Sequence, residues 1–150
     1  KAPDRAAALA AFEDEWRDDP LVLDKWFTLQ AMSSRPDALD EVKRLLSHPG
    51  FDLRNPNRVR ALIGAFCQGN QVRFHAASGQ GYAFLGDRLL ELDELNPQVA
   101  ARLAGALLRW RKYDQARQAL MQSEMKRVLS KPNLSRDCYE ILSKALQETG

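Results

Sequence analysis

One helix start, written three times, constrains this chain more than anything else in it: Asp19-Pro20, Asn55-Pro56 and Asn96-Pro97. In each, a short polar side chain can accept hydrogen bonds from the free N–H groups of a helix's first turn. The proline that follows takes the first helical position, where its missing N–H costs nothing. The three prolines stand 36 and 41 residues apart, close to the roughly 40-residue length of a helix–turn–helix unit in HEAT and armadillo arrays. Each unit of such an array buries its apolar face against the next. The expected fold is therefore all-α, a right-handed superhelical stack of antiparallel helix pairs with about eight helices. The whole of 1–150 is expected to form one helical domain. Such a stack supplies a curved surface more readily than it supplies chemistry.

Apolar spacing fills in the helices. Over 4–17, Leu9, Phe12 and Trp16 share one face, which predicts a surface helix. Over 20–32, Leu21, Val22, Leu23, Trp26, Phe27 and Leu29 are apolar on nearly every side, which predicts a helix enclosed by its neighbours. A helix reaching to about residue 47 turns Leu39, Val42, Leu45 and Leu46 inward, and His48-Pro49-Gly50 stops it. From Asn55, the residues Val59, Leu62, Ile63 and Phe66 fall at i, i+3, i+4 and i+7, leaving Arg58 and Arg60 on opposite flanks. Gly69-Asn70 ends that helix. The stretch 71–81, with Arg73, Phe74, His75, Ser78 and Gly79, reads as the longest irregular segment, of a length that often carries a role.

A helix over about 82–95 brings Tyr82, Leu85, Leu89 and Leu92 together. The next, from Pro97, turns Val99, Leu103, Ala106, Leu107 and Trp110 inward, with Gln98, Arg102, Gly105 and Arg109 in a polar row beside them. Helices over about 113–130 and from Ser135, as N-cap, to about 147 close the chain, with Pro132 between them. No alternating strand pattern competes.

Charge and motif content exclude several functions. Lysine and arginine number 22 against 20 aspartates and glutamates, so no net field argues for nucleic acid or membrane as a partner. No apolar run is long enough to span a bilayer, and the start Lys1-Ala2-Pro3-Asp4 leads into an acidic amphipathic stretch unlike a signal sequence. Two cysteines, Cys67 and Cys138, are too few for a disulfide framework and suit a reducing compartment; each is expected to pack as a small apolar side chain. The expected location is cytoplasmic. The chain opens without an initiator methionine, as a piece cut from something longer would.

His48 and His75 lie 27 residues apart with no H-E-x-x-H pairing, so no metal site and no catalytic residue is expected in this chain. His48 reads as a helix-end residue and His75 as a structural one. The cluster Arg109, Arg111, Lys112 and Arg117, with Trp110 and Tyr113, has the residue types of a phosphate-backbone contact. Its aromatics belong to the apolar stripe, however, and a solvated helix face is the expected reading.

The blocks 18–27, 55–66 and 96–103 carry a resemblance, as do Phe74-His75 ahead of Gly81-Tyr82 and the Tyr113-Asp114 helix start. Together they are similar to the C-terminal helical domain of the bacterial aminopeptidase N family of zinc metallopeptidases. The resemblance implies a zinc-dependent exopeptidase that removes N-terminal residues from peptides, with alanine-like and basic residues favoured. The family's H-E-x-x-H and G-A-M-E-N segments do not occur here. What is implied is thus a non-catalytic part, about the later half of the C-terminal superhelix, with zinc held in a catalytic domain elsewhere in the same polypeptide. That catalytic domain and peptide substrates are the implied partners.

In this family the superhelical domain closes over the catalytic domain and walls an internal chamber. The resemblance matches Gln98 and Arg102 to a polar pair facing that chamber, and Arg60 to a second chamber arginine. Gln98 and Arg102 are four apart, hence neighbours on a helix, and a guanidinium fork beside them suits a carboxylate or carbonyl oxygen. The residues alone equally read as solvated flanks covering their own apolar stripe. A free-standing HEAT-like scaffold that binds a protein partner on its concave face is the alternative function.

Overall fold

The computed structural model describes residues 19–147. In chain order the helices are α1 (Pro20–Ala31), α2 (Ala38–Leu45), α3 (Pro56–Val59), α4 (Gln71–Phe74), α5 (Gln80–Leu95), α6 (Pro97–Ala104), α7 (Gln115–Leu129) and α8 (Arg136–Gln147). A π-helical segment, Arg60–Gly69, continues α3 without a break, and two 3₁₀ turns, Gly105–Leu107 and Trp110–Lys112, follow α6. There is no strand among the described residues, and no helix among them is long and apolar enough to cross a membrane.

The three polar-proline pairs start helices for the expected reason. Asp19 Oδ1 accepts from the N–H groups of Leu21 and Val22 at 3.1 and 3.4 Å. Asn55 Oδ1 accepts from Asn57 and Arg58 at 3.0 and 3.4 Å, and Asn96 Oδ1 from Val99 at 3.3 Å. Ser135 caps α8 by accepting from the N–H of Cys138 at 3.2 Å.

A single apolar cluster joins the elements. α1 packs on the π segment, α5 on α6 and α7, and α6 on α8. Phe27, Leu62, Ile63, Phe66, Phe74, Tyr82, Leu85, Leu89, Leu92, Leu107 and Met121 are wholly buried. Full burial of such a side chain contributes roughly 1.5–3 kcal/mol. Phe66 meets Phe74 and Phe84 edge-on, at centroid distances of 6.3 and 6.0 Å.

Several sequence expectations are corrected. α1 is not enclosed: Leu23, Trp26, Phe27 and Ala31 are buried, but Leu21 is 72% and Leu29 67% exposed. Sequence apolarity on every side does not distinguish a helix packed all round from one whose outer face is open. The helix after Asn55 is α-helical only to Val59. An i, i+3, i+4, i+7 stripe does not separate a ladder of i→i+4 bonds from one of i→i+5 bonds over so few residues.

The stretch 71–81 is largely ordered into helix, with only 75–79 between α4 and α5. Asn70 makes this possible. Its side-chain oxygen accepts from the N–H of Arg73 at 3.4 Å, and its Nδ2 donates to the carbonyls of Ala31 and Ser33 at 2.9 and 2.8 Å. α6 ends at Ala104, so Ala106, Leu107 and Trp110 reach the core through 3₁₀ turns, with Trp110 Nε1 donating to the Ala145 carbonyl at 3.3 Å. The helix expected over 4–17 lies outside the described residues.

Candidate functional site

Arg60 opens the π segment, and Gly64 and Gln68 follow it at intervals of four. The three line a cleft whose opposite wall is α6, through Val99, Arg102 and Leu103. The cleft has a volume of about 100 Å³. Two helices that start with the same Asn-Pro pair, one repeat apart, therefore stand on either side of it. Gln68 ties them, its Nε2 donating to the Arg102 carbonyl at 3.2 Å.

Charge in the cleft has one sign. Arg60 and Arg102 are both exposed, and neither has a carboxylate partner among the described residues. Arg60 is steadied by donating to Asn57 Oδ1 at 3.0 Å. Arg58, on the other flank of the same helix, differs sharply. Its side chain is 12% exposed, ion-paired to Asp24 at 2.6 Å, and its Nε donates to the Gly50 carbonyl at 3.1 Å. Arg58 thus holds α1, the turn after α2, and α3 together, while Arg60 keeps donors free toward the cleft.

The structure brings Arg60 and Arg102 to one site. Gln98 is exposed, one turn ahead of Arg102 on α6, and is not a wall of the cleft. Sequence reasoning missed Gly64 and Gln68, although their spacing from Arg60 was a usable signal: positions four and eight residues on share its helix face.

A second polar cluster lies inside the fold. His75, 9% exposed, sits between two tyrosines, with Nδ1 2.7 Å from the Tyr82 hydroxyl and Nε2 3.0 Å from that of Tyr113. Burial, reinforced by the nearby charge of Arg117, lowers the His75 pKa, and burial pushes the Tyr82 phenol up to about 12. A neutral imidazole donates to one hydroxyl and accepts from the other. Arg117 Nε donates to the His75 carbonyl at 2.6 Å. These bonds join α4, α5 and α7 through the His75 ring and carbonyl.

Of the basic cluster, Arg109 and Lys112 are exposed, while Arg111 and Arg117 make contacts within the fold. Arg111 lies over the Trp110 ring at 4.2 Å and donates to the Ala145 carbonyl at 3.0 Å, while Arg117 pairs with Asp114 at 2.9 Å. Cys67 and Cys138 are buried. Burial raises both thiol pKa values, that of Cys138 to about 12 with help from Asp93. Among the described residues no three His, Cys, Asp or Glu side chains converge as metal ligands.

Residues 1–147 match the family described as a domain of unknown function (DUF3458_C) with ARM repeats. The chain is similar to aminopeptidase N of Caulobacter vibrioides, 48% identical over 95% of this chain, and of Haemophilus influenzae, 47% identical over 95%. Aminopeptidase N of Escherichia coli is 45% identical over 96%. The crystal structure of Legionella pneumophila aminopeptidase A in complex with aspartic acid superposes with a TM-score of 0.91, at 37% identity over 99% of this chain. The chain spans 16% of the Caulobacter and Haemophilus proteins, and 17% of the Escherichia protein and of the Legionella chain.

Proposed function

The chain belongs to the DUF3458_C ARM-repeat family, and from that premise we propose that it is a non-catalytic domain of a zinc-dependent aminopeptidase. In this reading it walls an internal chamber and admits peptides whose N-terminal residue is removed in another domain of the same polypeptide. Zinc held in that other domain supplies Lewis acidity and a bound water for hydrolysis. The residues of this chain bind and orient the part of the peptide beyond the scissile bond.

The observation that carries the reading is the pairing of Arg60 and Arg102 across one cleft, each with donors that no carboxylate of the described residues satisfies. Guanidinium groups in such a position favour carboxylate and carbonyl oxygens, the groups a short peptide presents after its first residue. Val59, Val99 and Leu103 give the cleft apolar walls beside those two exposed guanidinium groups. Gln98, one turn along α6, extends the same polar row and adds a neutral donor and acceptor.

Replacing Arg102 by alanine in the full-length polypeptide tests this. A single-residue anilide has no atoms for a guanidinium to hold beyond the scissile bond, whereas a short peptide has several. A charge-assisted contact contributes about 1.5–3 kcal/mol, so kcat/KM for short peptides should fall roughly tenfold or more while that for anilides changes little. Equal losses for both substrate types reject the reading.

A further inference from the structure

The cleft does not end at Arg60. Beyond that side chain a second lobe of about 410 Å³ opens between the π segment and α1, walled by Asp24, Thr28, Asn57 and Ala65. Arg60, Gly64 and Gln68 line both lobes. We propose that the two lobes are consecutive subsites for one extended peptide, which crosses the π segment over Gly64 and is held at the crossing by Arg60 and the Gln68 carboxamide. The inference rests on the chamber reading above and adds to it where the chain of the peptide goes.

Size is the first argument. A cleft of about 100 Å³ is well below the roughly 300–1,000 Å³ of ligand pockets. It accommodates about one side chain, so anything longer has to continue elsewhere. The second lobe provides that space directly alongside.

Gly64 is the second argument. Glycine inside a helix is destabilising by roughly 1 kcal/mol against alanine, and close packing does not explain it here. A Cβ at Gly64 would meet Arg60 Cγ and Leu103 Cδ2 at 3.7 Å, which is ordinary contact. Gly64 is buried yet lines both lobes, so no side chain of its own stands between them.

Unused hydrogen-bonding groups are the third. Gln68 spends its Nε2 on the Arg102 carbonyl, which leaves its side-chain oxygen as an acceptor. Arg60 spends one nitrogen on Asn57 Oδ1 and keeps its other donors. A peptide unit offers one N–H and one C=O, the complement of that pair. Two of the other polar walls are already committed: Thr28 donates to the Ala61 carbonyl at 2.9 Å, and Asp24 is ion-paired to Arg58. The second lobe therefore selects for peptide length, and the guanidinium of Arg60 is the charge left in its wall to act on a side chain.

The test measures kcat and KM in the full-length polypeptide for peptides from two to six residues that share one N-terminal residue. Gly64→Leu raises a side chain between the lobes, and Ala65→Leu, from a half-buried position, fills the second lobe alone. For peptides of about four residues and longer, KM should rise about tenfold in either variant, with dipeptides changing less than about twofold. A loss uniform across lengths, or none in a variant that melts like the parent, overturns the second subsite; if one variant does not fold, the other decides. Arg102→Ala separates the two claims. If it discriminates peptides from anilides while both leucine variants are flat across lengths, the chamber reading stands and the second subsite falls. If it does not discriminate, the chamber reading falls first.

Discussion

Gly81 sits where the first turn of α5 passes the end of α4, and the approach is too close for any side chain. A Cβ there would lie 2.2 Å from the Phe74 carbonyl oxygen and 3.0 Å from its carbon, both backbone atoms that cannot rotate aside. Gly81→Ala must therefore push α4 from α5, beside the wholly buried Phe74 and Tyr82. We expect a loss of about 1–3 kcal/mol, the usual cost of overpacking a core, read as a lowered melting temperature. A variant that melts like the parent would show that the corner yields cheaply. Gly81 and Gly64 differ: close contact requires the first, whereas a Cβ at the second would meet its neighbours at ordinary contact distance.

Between elements, Asp93 ties α5 to the start of α8. The carboxylate is 4% exposed and accepts from the Ser135 N–H at 2.9 Å and from the Ser135 hydroxyl, with Lys131 Nζ 3.7 Å away. Burial on its own would raise the carboxyl pKa. The bonds from Ser135 and Cys138 and the charge of Lys131 outweigh it and hold the group below the usual carboxylate range. A depressed folded-state pKa stabilises the fold above the unfolded value of about 3.9, and that contribution is lost as pH falls through the folded value. Asp93→Ala leaves the Ser135 N–H without its acceptor and should cost about 1–3 kcal/mol near neutral pH. Below about pH 4 the difference from the parent should shrink, because the unfolded chain's carboxyl protonates there first and the folded one follows at a lower pH. Denaturant midpoints measured from pH 7 down to pH 3 check both parts, and a difference independent of pH would refute the assignment.

At the scale of the molecule, one apolar cluster links α1 to α8, so the chain is expected to unfold as a unit when produced alone. It is also expected to hydrolyse no alanyl anilide and to bind no stoichiometric zinc. Calorimetry, metal analysis of chelator-free protein and an anilide assay test this together. Two separate melting steps would contradict the single core. Turnover that follows the chain and disappears on a point substitution within it would contradict a non-catalytic domain.

What the sequence by itself determined is local. Caps and apolar stripes act within a turn or two of the chain, so Asp19, Asn55, Asn96 and Ser135 announced their helices, and Val59, Leu62, Ile63 and Phe66 their buried face. The flanking positions of Arg58 and Arg60 were legible for the same reason. Their different fates were not, because the Asp24 that pairs with Arg58 stands 34 positions away in the chain. Tertiary structure alone decided that 71–74 would be helical, through the reach of Asn70 to the carbonyls after α1, and that His75 would be clasped by Tyr82 and Tyr113. It alone put Arg60 and Arg102 in one cleft and made Gly64 part of the wall shared with the lobe beyond. A cleft is a relation between elements, and its volume and its unspent donors are set by how helices distant in sequence come to pack.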